Sequence, residues 1–258
     1  MNSVAILVSS CDQFFDAWRP FAFFFRKFWP QCPLPVHLIT NELPIESSFI
    51  RAIPVGPDRG WASNMRQALG KLDASHILYL QEDYFLSFPV QDAQLASDIT
   101  YATDNDVDAL YFRARSQLEQ DFAPLTDRFG IVPINSDGRT RCQLALWKRE
   151  SLLAVLREGE SAWEMEARGS ERTRQMKILS YKARENAPVH YLMSAIVRGL
   201  WTREALAMCR EEGIEIAPKF RGVYSPNKWL QGWRRAQTRR RSQNYFRGRA
   251  TKIPVSLP

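Results

Sequence analysis

The stretch SHILYLQEDYFL (75–86) decides how this sequence is interpreted, because a continuous apolar run ends there in two adjacent carboxylates. Residues 75–80 are typical of a strand that is buried on both faces of a parallel sheet. Glu82 and Asp83 follow, and a second apolar run begins at Tyr84. Acidic residues are also common where a strand gives way to a loop. The pair is therefore either an ordinary strand end or part of a site.

Strands and helices alternate through the first 115 residues. Short β-branched apolar runs predict strands, and apolar residues spaced three or four apart predict helices. The predicted strands are 3–10, 34–41, 49–55, 75–80 and 108–115, and the predicted helices are 11–29, 62–72 and 91–105. We expect a bend or a restart of the first helix at Pro20. This alternation predicts an α/β fold with a Rossmann-type, mainly parallel sheet flanked by helices.

Ligands of such sheets bind beyond the carboxyl ends of the strands. Residues 9–12 and 81–83 each follow a predicted strand and should share that edge. The acidic pair is therefore predicted to belong to a site. A strand that ends in Glu82 and Asp83 suits Mn²⁺ or Mg²⁺, which take one or two carboxylates together with substrate phosphates.

The second half is less regular. Strands are predicted at 141–148, 177–182 and 189–197, and helices at 149–160 and 202–214, the latter ending at Gly213. Residues 161–176 begin with the compact motif Trp163-Glu164-Met165-Glu166. His190 lies within a predicted strand, where a core or solvent-facing histidine is a simpler interpretation than a ligand.

Five stretches together resemble a bacterial polysaccharide family, of the capsule or lipopolysaccharide type, among the GT-A-fold, nucleotide-sugar-dependent glycosyltransferases. They are SSCDQFFDAWRPF (9–21), DRGWASNMRQAL (58–69), QEDYFL (81–86), LALWKRESLLAVLREGESAWEMEA (144–167) and AIVRGLW (195–201). The resemblance covers roughly residues 4 to 215 and rests on order and spacing rather than on one motif. It implies transfer of a sugar from a nucleotide-sugar donor to a glycan or lipid-linked acceptor.

The resemblance also implies roles for individual residues. Asp83 matches the metal-contacting acid of the family's acidic motif, and Glu82 would contact the donor. Gln81 departs from that motif because it carries no charge, which leaves metal dependence open. The other implied donor-binding residues are Ser10, Asp12, Arg59 and Asn64. Asp12 fits helix capping equally well.

The Trp-Glu-Met-Glu motif fits the position of the catalytic base in inverting members of this fold. A carboxylate can accept the proton of the acceptor hydroxyl. We expect Glu166, or alternatively Glu164, to be this base, with the plane of Trp163 packing on the acceptor sugar. The alternative is that both acids only complement a helix N-terminus.

Composition bounds the remaining possibilities. The apolar fraction of 45% and charged fraction of 24% are ordinary for a globular chain, and no apolar run approaches the length of a membrane span. MNSVAILVSS lacks the basic region of a signal peptide. The four cysteines form no metal-binding pattern and are expected to be reduced thiols. We therefore expect a cytoplasmic protein.

The C-terminal residues are strongly basic. Residues 221–258 hold ten of the 35 Lys and Arg residues and none of the 28 acidic ones. We predict a catalytic domain at 1–220 and a basic tail at 221–258, with a tail helix that starts near Pro226. Basic residues beside Trp229 and Trp233 favour an anionic membrane surface. RNA, a donor pyrophosphate or plain solvent are the alternatives for this tail.

Two other functions remain to be compared with sugar transfer. A sugar-nucleotide pyrophosphorylase needs a glycine-rich loop after the first strand, and SSCDQFF (9–15) contains no glycine. A nucleic-acid-binding or other anion-binding protein could use the basic tail, but that function leaves QEDYFL and the Trp-Glu-Met-Glu motif unexplained. We therefore do not expect nucleic acid to be the partner.

Overall fold

The computed structural model describes residues 3–113, 123–136, 138–216, 220–248 and 255–258. The strands are β1 (Val4–Ser9), β2 (Val36–Thr40), β3 (Ile45–Glu46), β4 (Ile50–Pro54), β5 (His76–Gln81), β6 (Phe85–Leu86), β7 (Ala109–Tyr111), β8 (Ala123–Pro124), β9 (Phe129–Ile131), β10 (Ala145–Lys148), β11 (Ile178–Tyr181), β12 (Tyr191–Leu192), β13 (Ile196–Val197), β14 (Leu200–Trp201) and β15 (Val255–Ser256). The helices are α1 (Phe15–Phe28), α2 (Trp61–Gly70), α3 (Asp92–Asp104), α4 (Arg149–Val155), α5 (Ala162–Arg172), α6 (Arg203–Glu211) and α7 (Lys228–Gly248).

Nine of the described strands form one sheet in the order β4-β2-β1-β5-β10-β7-β11-β9-β8. The first four run parallel, and β10 lies antiparallel between β5 and β7. Because β10 opposes both neighbours, β5 and β7 point the same way, and β11 runs parallel to β7. The predicted α/β fold with a mainly parallel sheet flanked by helices is confirmed.

Both faces of the sheet are covered by helices, which explains the continuous apolar runs of β1 and β5. Ile6 and Leu78 pack in the cluster that contains the aromatic residues of α1. Leu7 and Ile77 point to the other face, where α2, α4 and α5 supply apolar residues. Successive strand residues thus enter opposite halves of the core, as the two-residue period of a strand requires.

Three predicted boundaries were wrong. Residues 189–197 are not one strand, because β12 pairs with β6 whereas β13 pairs with β14, and the backbone of Ala195 between them bonds to Asp83. α4 ends at Val155, where Leu156 adopts extended backbone. β10 begins only at Ala145 of the predicted strand 141–148. The predicted end of α6 is confirmed, because Glu212 is its C-cap and Gly213 follows in the left-handed region with a φ of 67°.

The start of the first helix also differs from the prediction. α1 continues through Pro20, and the interruption lies earlier, where a 3-10 turn over Asp12–Phe14 leads into Phe15. β7 covers only Ala109–Tyr111 of the predicted strand 108–115, whose last two residues lie outside the described residues.

The basic C-terminal segment contacts the sheet domain. Arg221 is buried and forms a two-point ion pair with Asp16 of α1, at 2.9 and 3.0 Å. Tyr245 of α7 stacks on Phe15, with ring centroids 4.5 Å apart. The predicted tail helix is present and begins at Lys228. The domain division at residue 220 stays a prediction.

The outer side of α7 carries tryptophan. Trp229 and Trp233 are 75% and 52% exposed, although both side chains are largely apolar. No helix in the described part of the chain is both long enough and apolar enough to span a membrane.

Candidate active site

A cavity of about 500 Å³ opens at the carboxyl edge of β1 and β5. In register, Ser9 of β1 lies beside Gln81 of β5, so the loops that follow these strands start together. The cavity residues come from these two loops, the start of α2, residues 142–143, the start of α5 and residues 193–199. This is the edge at which the sequence predicted a site.

The acidic pair lies in this cavity and is almost completely buried. Asp83 Oδ2 accepts a hydrogen bond from the backbone N–H of Ile196 at 3.3 Å. Asp83 Oδ1 is buried without a hydrogen-bond partner among the described residues. A buried carboxylate oxygen of this kind is costly unless a ligand or cation contacts it. The unpaired oxygen makes Asp83 a candidate binding group.

Burial dominates the electrostatics of the pair. It raises the pKa of Asp83 to about 7, although the Ile196 N–H acts in the opposite direction. Burial also raises the pKa of Glu82, and the neighbouring charge of Asp83 raises it further. The positive charge of Arg221 partly offsets the increase in pKa of both carboxyl groups. Two carboxylates held in this way favour a cationic ligand, which would relieve both desolvation and mutual repulsion.

The donor set fits a divalent metal that shares its coordination with a substrate. The described residues contain no cluster of three or more His, Cys, Asp or Glu side chains that could hold an ion alone. Glu82 and Asp83 do supply two carboxylates, and Gln143 adds to the same cavity a buried amide oxygen that has no partner in the described part of the chain. Mg²⁺ and Mn²⁺ are commonly held by one or two carboxylates plus substrate phosphates and water.

The two candidate bases occupy different environments. Glu166 lines the cavity, and its Oε1 accepts the backbone N–H of Cys142 at 2.6 Å. Glu164 is at the exposed first turn of α5, where its carboxylate accepts the N–H and the hydroxyl of Ser161 in a capping box. These bonds lower the pKa of Glu164. Trp163 lies at the cavity with 80% of its surface exposed.

The position of Glu166 is fixed by close packing beneath α5. The hydroxyl of Thr140 donates to the carbonyls of Met165 and Glu166, at 3.3 and 3.2 Å. A Cβ added at Gly169 would lie 2.6 Å from the Thr140 hydroxyl oxygen, so only glycine permits this approach. The guanidinium of buried Arg139 donates to the carbonyl of Thr173, just after the helix.

Three of the five predicted donor-binding residues, Glu82, Ser10 and Asn64, line the cavity. Ser10 Oγ accepts the indole N–H of Trp18 at 2.7 Å, which fixes the loop after β1. The amide nitrogen of Asn64 donates to Asp58 at 2.8 Å. Asp58 also lines the cavity and was not predicted.

The other two predicted donor-binding residues, Asp12 and Arg59, are not among the lining residues. The carboxylate of Asp12 accepts backbone N–H bonds from Asn41, Glu42 and Leu43, so it ties the loop after β1 to the end of β2. Arg59 is exposed, and its backbone N–H donates to Asn64 at 3.3 Å. Their contact with a donor stays a prediction.

Arg198 also lines the cavity and was not predicted from the sequence. It is the one cationic residue among the described residues that line the cavity, opposite four acids. Arg198 and Gly199 form the two-residue turn between β13 and β14, and both have positive φ, at 52° and 76°. Arg198 Nη1 donates to Gln231 of α7 at 3.2 Å. The signal was present in AIVRGLW, where Arg-Gly separates two apolar pairs.

No protein-family model matches the chain, and no curated protein matches it. Among solved structures it is similar to residues 1–349 of S. aureus TarS, with 9% identity and a TM-score of 0.50 over 99% of this chain and 76% of that one. It is also similar to TarS 1–349 in complex with UDP-GlcNAc, with 10% identity and a TM-score of 0.46 over 73% of this chain and 58% of that one. A further similar structure is galactosyltransferase LgtC with donor and acceptor sugar analogs, with 10% identity and a TM-score of 0.40 over 91% of this chain and 83% of that one. At 9% identity the first of these similarities shows a shared GT-A-like fold.

Proposed function

We propose that this chain is a glycosyltransferase that transfers a sugar from a nucleotide-sugar donor to a glycan or lipid-linked acceptor, with inversion at the anomeric carbon. One observation carries the proposal. Asp83, whose buried Oδ1 has no partner within the described ranges, shares a cavity of about 500 Å³ with Glu166 and exposed Trp163. Such a cavity has the volume of a small-ligand site and contains charged groups for both a diphosphate and a hydroxyl.

The donor diphosphate is assigned to the acidic side of the cavity. Glu82 and Asp83 would hold a Mn²⁺ or Mg²⁺ ion, which, when bound, supplies positive charge to the phosphate oxygens. Arg198 faces the same cavity and offers a planar guanidinium for bidentate contact with phosphate. Ser10 and Asn64 supply further polar contacts to the nucleotide.

The transfer step uses Glu166. Its carboxylate accepts the proton of the acceptor hydroxyl while the acceptor oxygen forms a bond to the anomeric carbon. The bond from that carbon to the diphosphate oxygen breaks, and the electron pair leaves with the nucleoside diphosphate. Arg198 stabilises the negative charge that develops there. A single displacement with one base inverts the configuration, and the exposed plane of Trp163 packs on the acceptor ring.

We assign α7 to an anionic membrane surface, which places the protein at the cytoplasmic face of a membrane and suits a bacterial polysaccharide pathway. The helix docks through Gln231 and Thr238, which bond to Arg198 and to the backbone of Gly222. At 100° per residue, Trp229, Trp233 and Arg240 fall on the opposite side. Tryptophan beside arginine suits the boundary between lipid headgroups and water.

A thermal-shift screen of nucleotide sugars, with and without Mn²⁺, tests the donor assignment. UDP-GlcNAc, which TarS binds, is the first compound to try. A donor at about 100 times its Kd stabilises the fold by about 2.7 kcal/mol, or roughly 5–10 °C. Asp83→Asn should lose this increase in Tm on donor binding. Asp104→Asn removes the same charge at an exposed position of α3 and should keep the increase. If no nucleotide sugar stabilises the wild-type protein, the proposed function fails.

A further inference from the structure

Arg198 lies in the turn between β13 and β14, at the mouth of the cavity, and its side chain is exposed. An exposed arginine samples many rotamers, and fixing it in one of them costs conformational entropy. A guanidinium that is already held in place loses less freedom when it binds a phosphate. The residue that holds Arg198 therefore influences donor binding without contacting the donor.

Gln231 of α7 is the residue that holds it. Arg198 Nη1 donates to Gln231 Oε1 at 3.2 Å, and Gln231 is only 5% exposed. The amide nitrogen of Gln231 donates to the carbonyl of Ser225. Because the nitrogen has to face that carbonyl, the amide oxygen has to face the guanidinium, so both bonds require the same orientation of the amide. The acceptor for Arg198 is therefore fixed in place.

The backbone beneath Arg198 is held by the same C-terminal segment. Arg198 is a non-glycine residue with a φ of 52°, a conformation that needs support from its surroundings. Arg221 donates to the carbonyl of the next residue, Gly199, at 2.9 Å and to the carbonyl of Gln13 at 2.7 Å. It thereby ties the turn to the loop after β1. Residues beyond 220 thus fix both the backbone and the side chain of Arg198.

The alternative is that Gln231 only helps to dock α7. The helix also docks through Thr238, whose hydroxyl accepts the Gly222 N–H at 3.1 Å. That bond ends on a residue that does not line the cavity, whereas the bond of Gln231 ends on Arg198, which does. The two bonds therefore offer a direct comparison between docking of the helix and placement of the guanidinium.

We propose that Gln231 is a positioning residue of the donor site, because its amide oxygen holds the guanidinium of Arg198 where it contacts the donor diphosphate. The inference rests on the proposed function for the contact between Arg198 and the diphosphate. A guanidinium has several N–H donors in one plane, so the bond to Gln231 leaves others free for phosphate oxygens. The donor site then extends beyond residue 220 into α7.

Calorimetric titration with UDP in the presence of Mn²⁺ tests the proposal. Gln231→Leu removes the amide oxygen and keeps a side chain of similar size. Gln243→Leu, the same substitution at an exposed position of α7, is the matched control. Thr238→Val removes a docking bond of the helix and leaves Arg198 untouched. Arg198→Gln, alone and combined with Gln231→Leu, completes a double-mutant cycle. The Tm of each variant is measured alongside.

We expect Gln231→Leu to weaken UDP binding about tenfold, as for the loss of one charge-assisted hydrogen bond to phosphate. In the Arg198→Gln background the same substitution should cost less than about twofold. Thr238→Val should lower the Tm and keep wild-type UDP affinity, and Gln243→Leu should change neither.

Wild-type UDP affinity in Gln231→Leu, or a full tenfold loss from Gln231→Leu in the Arg198→Gln background, overturns the proposal. An equal loss of UDP affinity in Thr238→Val also overturns it, because docking of the helix alone would then explain the effect. Wild-type UDP affinity in Arg198→Gln refutes instead the phosphate contact that the proposed function assigns to this arginine, and the role of Gln231 with it.

Discussion

Replacing Glu166 with Gln should remove the catalytic base and leave the donor site intact. Glu166 lines the cavity, and its Oε1 accepts the Cys142 N–H at 2.6 Å. The amide oxygen of Gln can accept the same bond, so the side chain keeps its position but cannot take a proton. We expect turnover to fall about 100- to 10,000-fold, equivalent to roughly 3–5 kcal/mol in activation free energy. Loss of the charge on that acceptor should cost about 1 kcal/mol of stability, or 2–4 °C in Tm.

Glu164→Gln is the matched control on the same helix. Residues two positions apart on a helix are separated by about 200° around its axis, and of these two acids Glu166 is the one that lines the cavity. Glu164 instead closes a capping box with Ser161, a task that Gln also performs. This variant should therefore keep wild-type turnover and a Tm close to that of the wild type.

The assay is release of nucleoside diphosphate from the donor that the thermal-shift screen identifies, with donor affinity measured separately by calorimetry. The expected pattern is a lower kcat in Glu166→Gln with unchanged donor Kd. Wild-type turnover in both variants would place the base elsewhere. Equal losses of turnover and donor binding in Glu166→Gln would make this residue part of the donor site. A product that retains the donor's anomeric configuration would exclude a mechanism with a single displacement.

Three further predictions concern other parts of the molecule. Burial raises the pKa of Asp83 to about 7 in the folded protein, so the unfolded chain releases this proton at a lower pH, from about pH 4 upwards. The carboxyl group therefore destabilises the folded state increasingly as the pH rises towards 7. In EDTA, the Tm of Asp83→Asn should therefore be higher than that of the wild type at pH 7 and equal to it at pH 4; a lower Tm at pH 7 would contradict this. The same substitution should abolish turnover. Arg221→Met should cost about 3–5 kcal/mol in urea unfolding, because it leaves Asp16 charged and buried, and Asp16→Asn should recover part of that loss. Ala at both Trp229 and Trp233 should weaken binding to anionic vesicles without changing Tm, since both side chains are exposed; unchanged vesicle binding would exclude the membrane role.

The ion pair of Arg221 changes how the basic segment should be tested. Deletion of residues 221–258 removes ten positive charges but also strips Asp16 of its buried partner. Any loss of membrane binding would then be confounded by loss of the fold. Substitution of the exposed tryptophans separates the two effects, because their side chains do not contribute to the core.

The sequence by itself determined the fold class and the edge at which the site lies. Continuous apolar runs in β1 and β5 reflect burial on both faces, and the helical spacing between them forces a parallel connection. Parallel strands end at a common edge, so the carboxylates after β5 were predictably beside the loop after β1. These inferences need only local periodicity and the direction of the chain.

Only the tertiary structure distinguished the residues within each motif. The sequence could not decide between Glu166 and Glu164 as the base. In the structure Glu166 lines the cavity, where Thr140 packs against Gly169 and bonds to the Glu166 carbonyl, whereas Glu164 caps the helix. The sequence left Asp12 open between donor contact and helix capping, and only the structure shows that its carboxylate accepts three backbone N–H groups from residues 29 to 31 positions away.

The long-range partners of the arginines were likewise invisible in the sequence. Arg198 lies at the cavity because the two-residue turn between β13 and β14 places it there. Arg221 pairs with Asp16, which lies 205 positions earlier in the sequence. Local patterns specify which face of a strand or helix is buried, whereas the pairing of charges depends on strand order, which the packing of the whole chain decides.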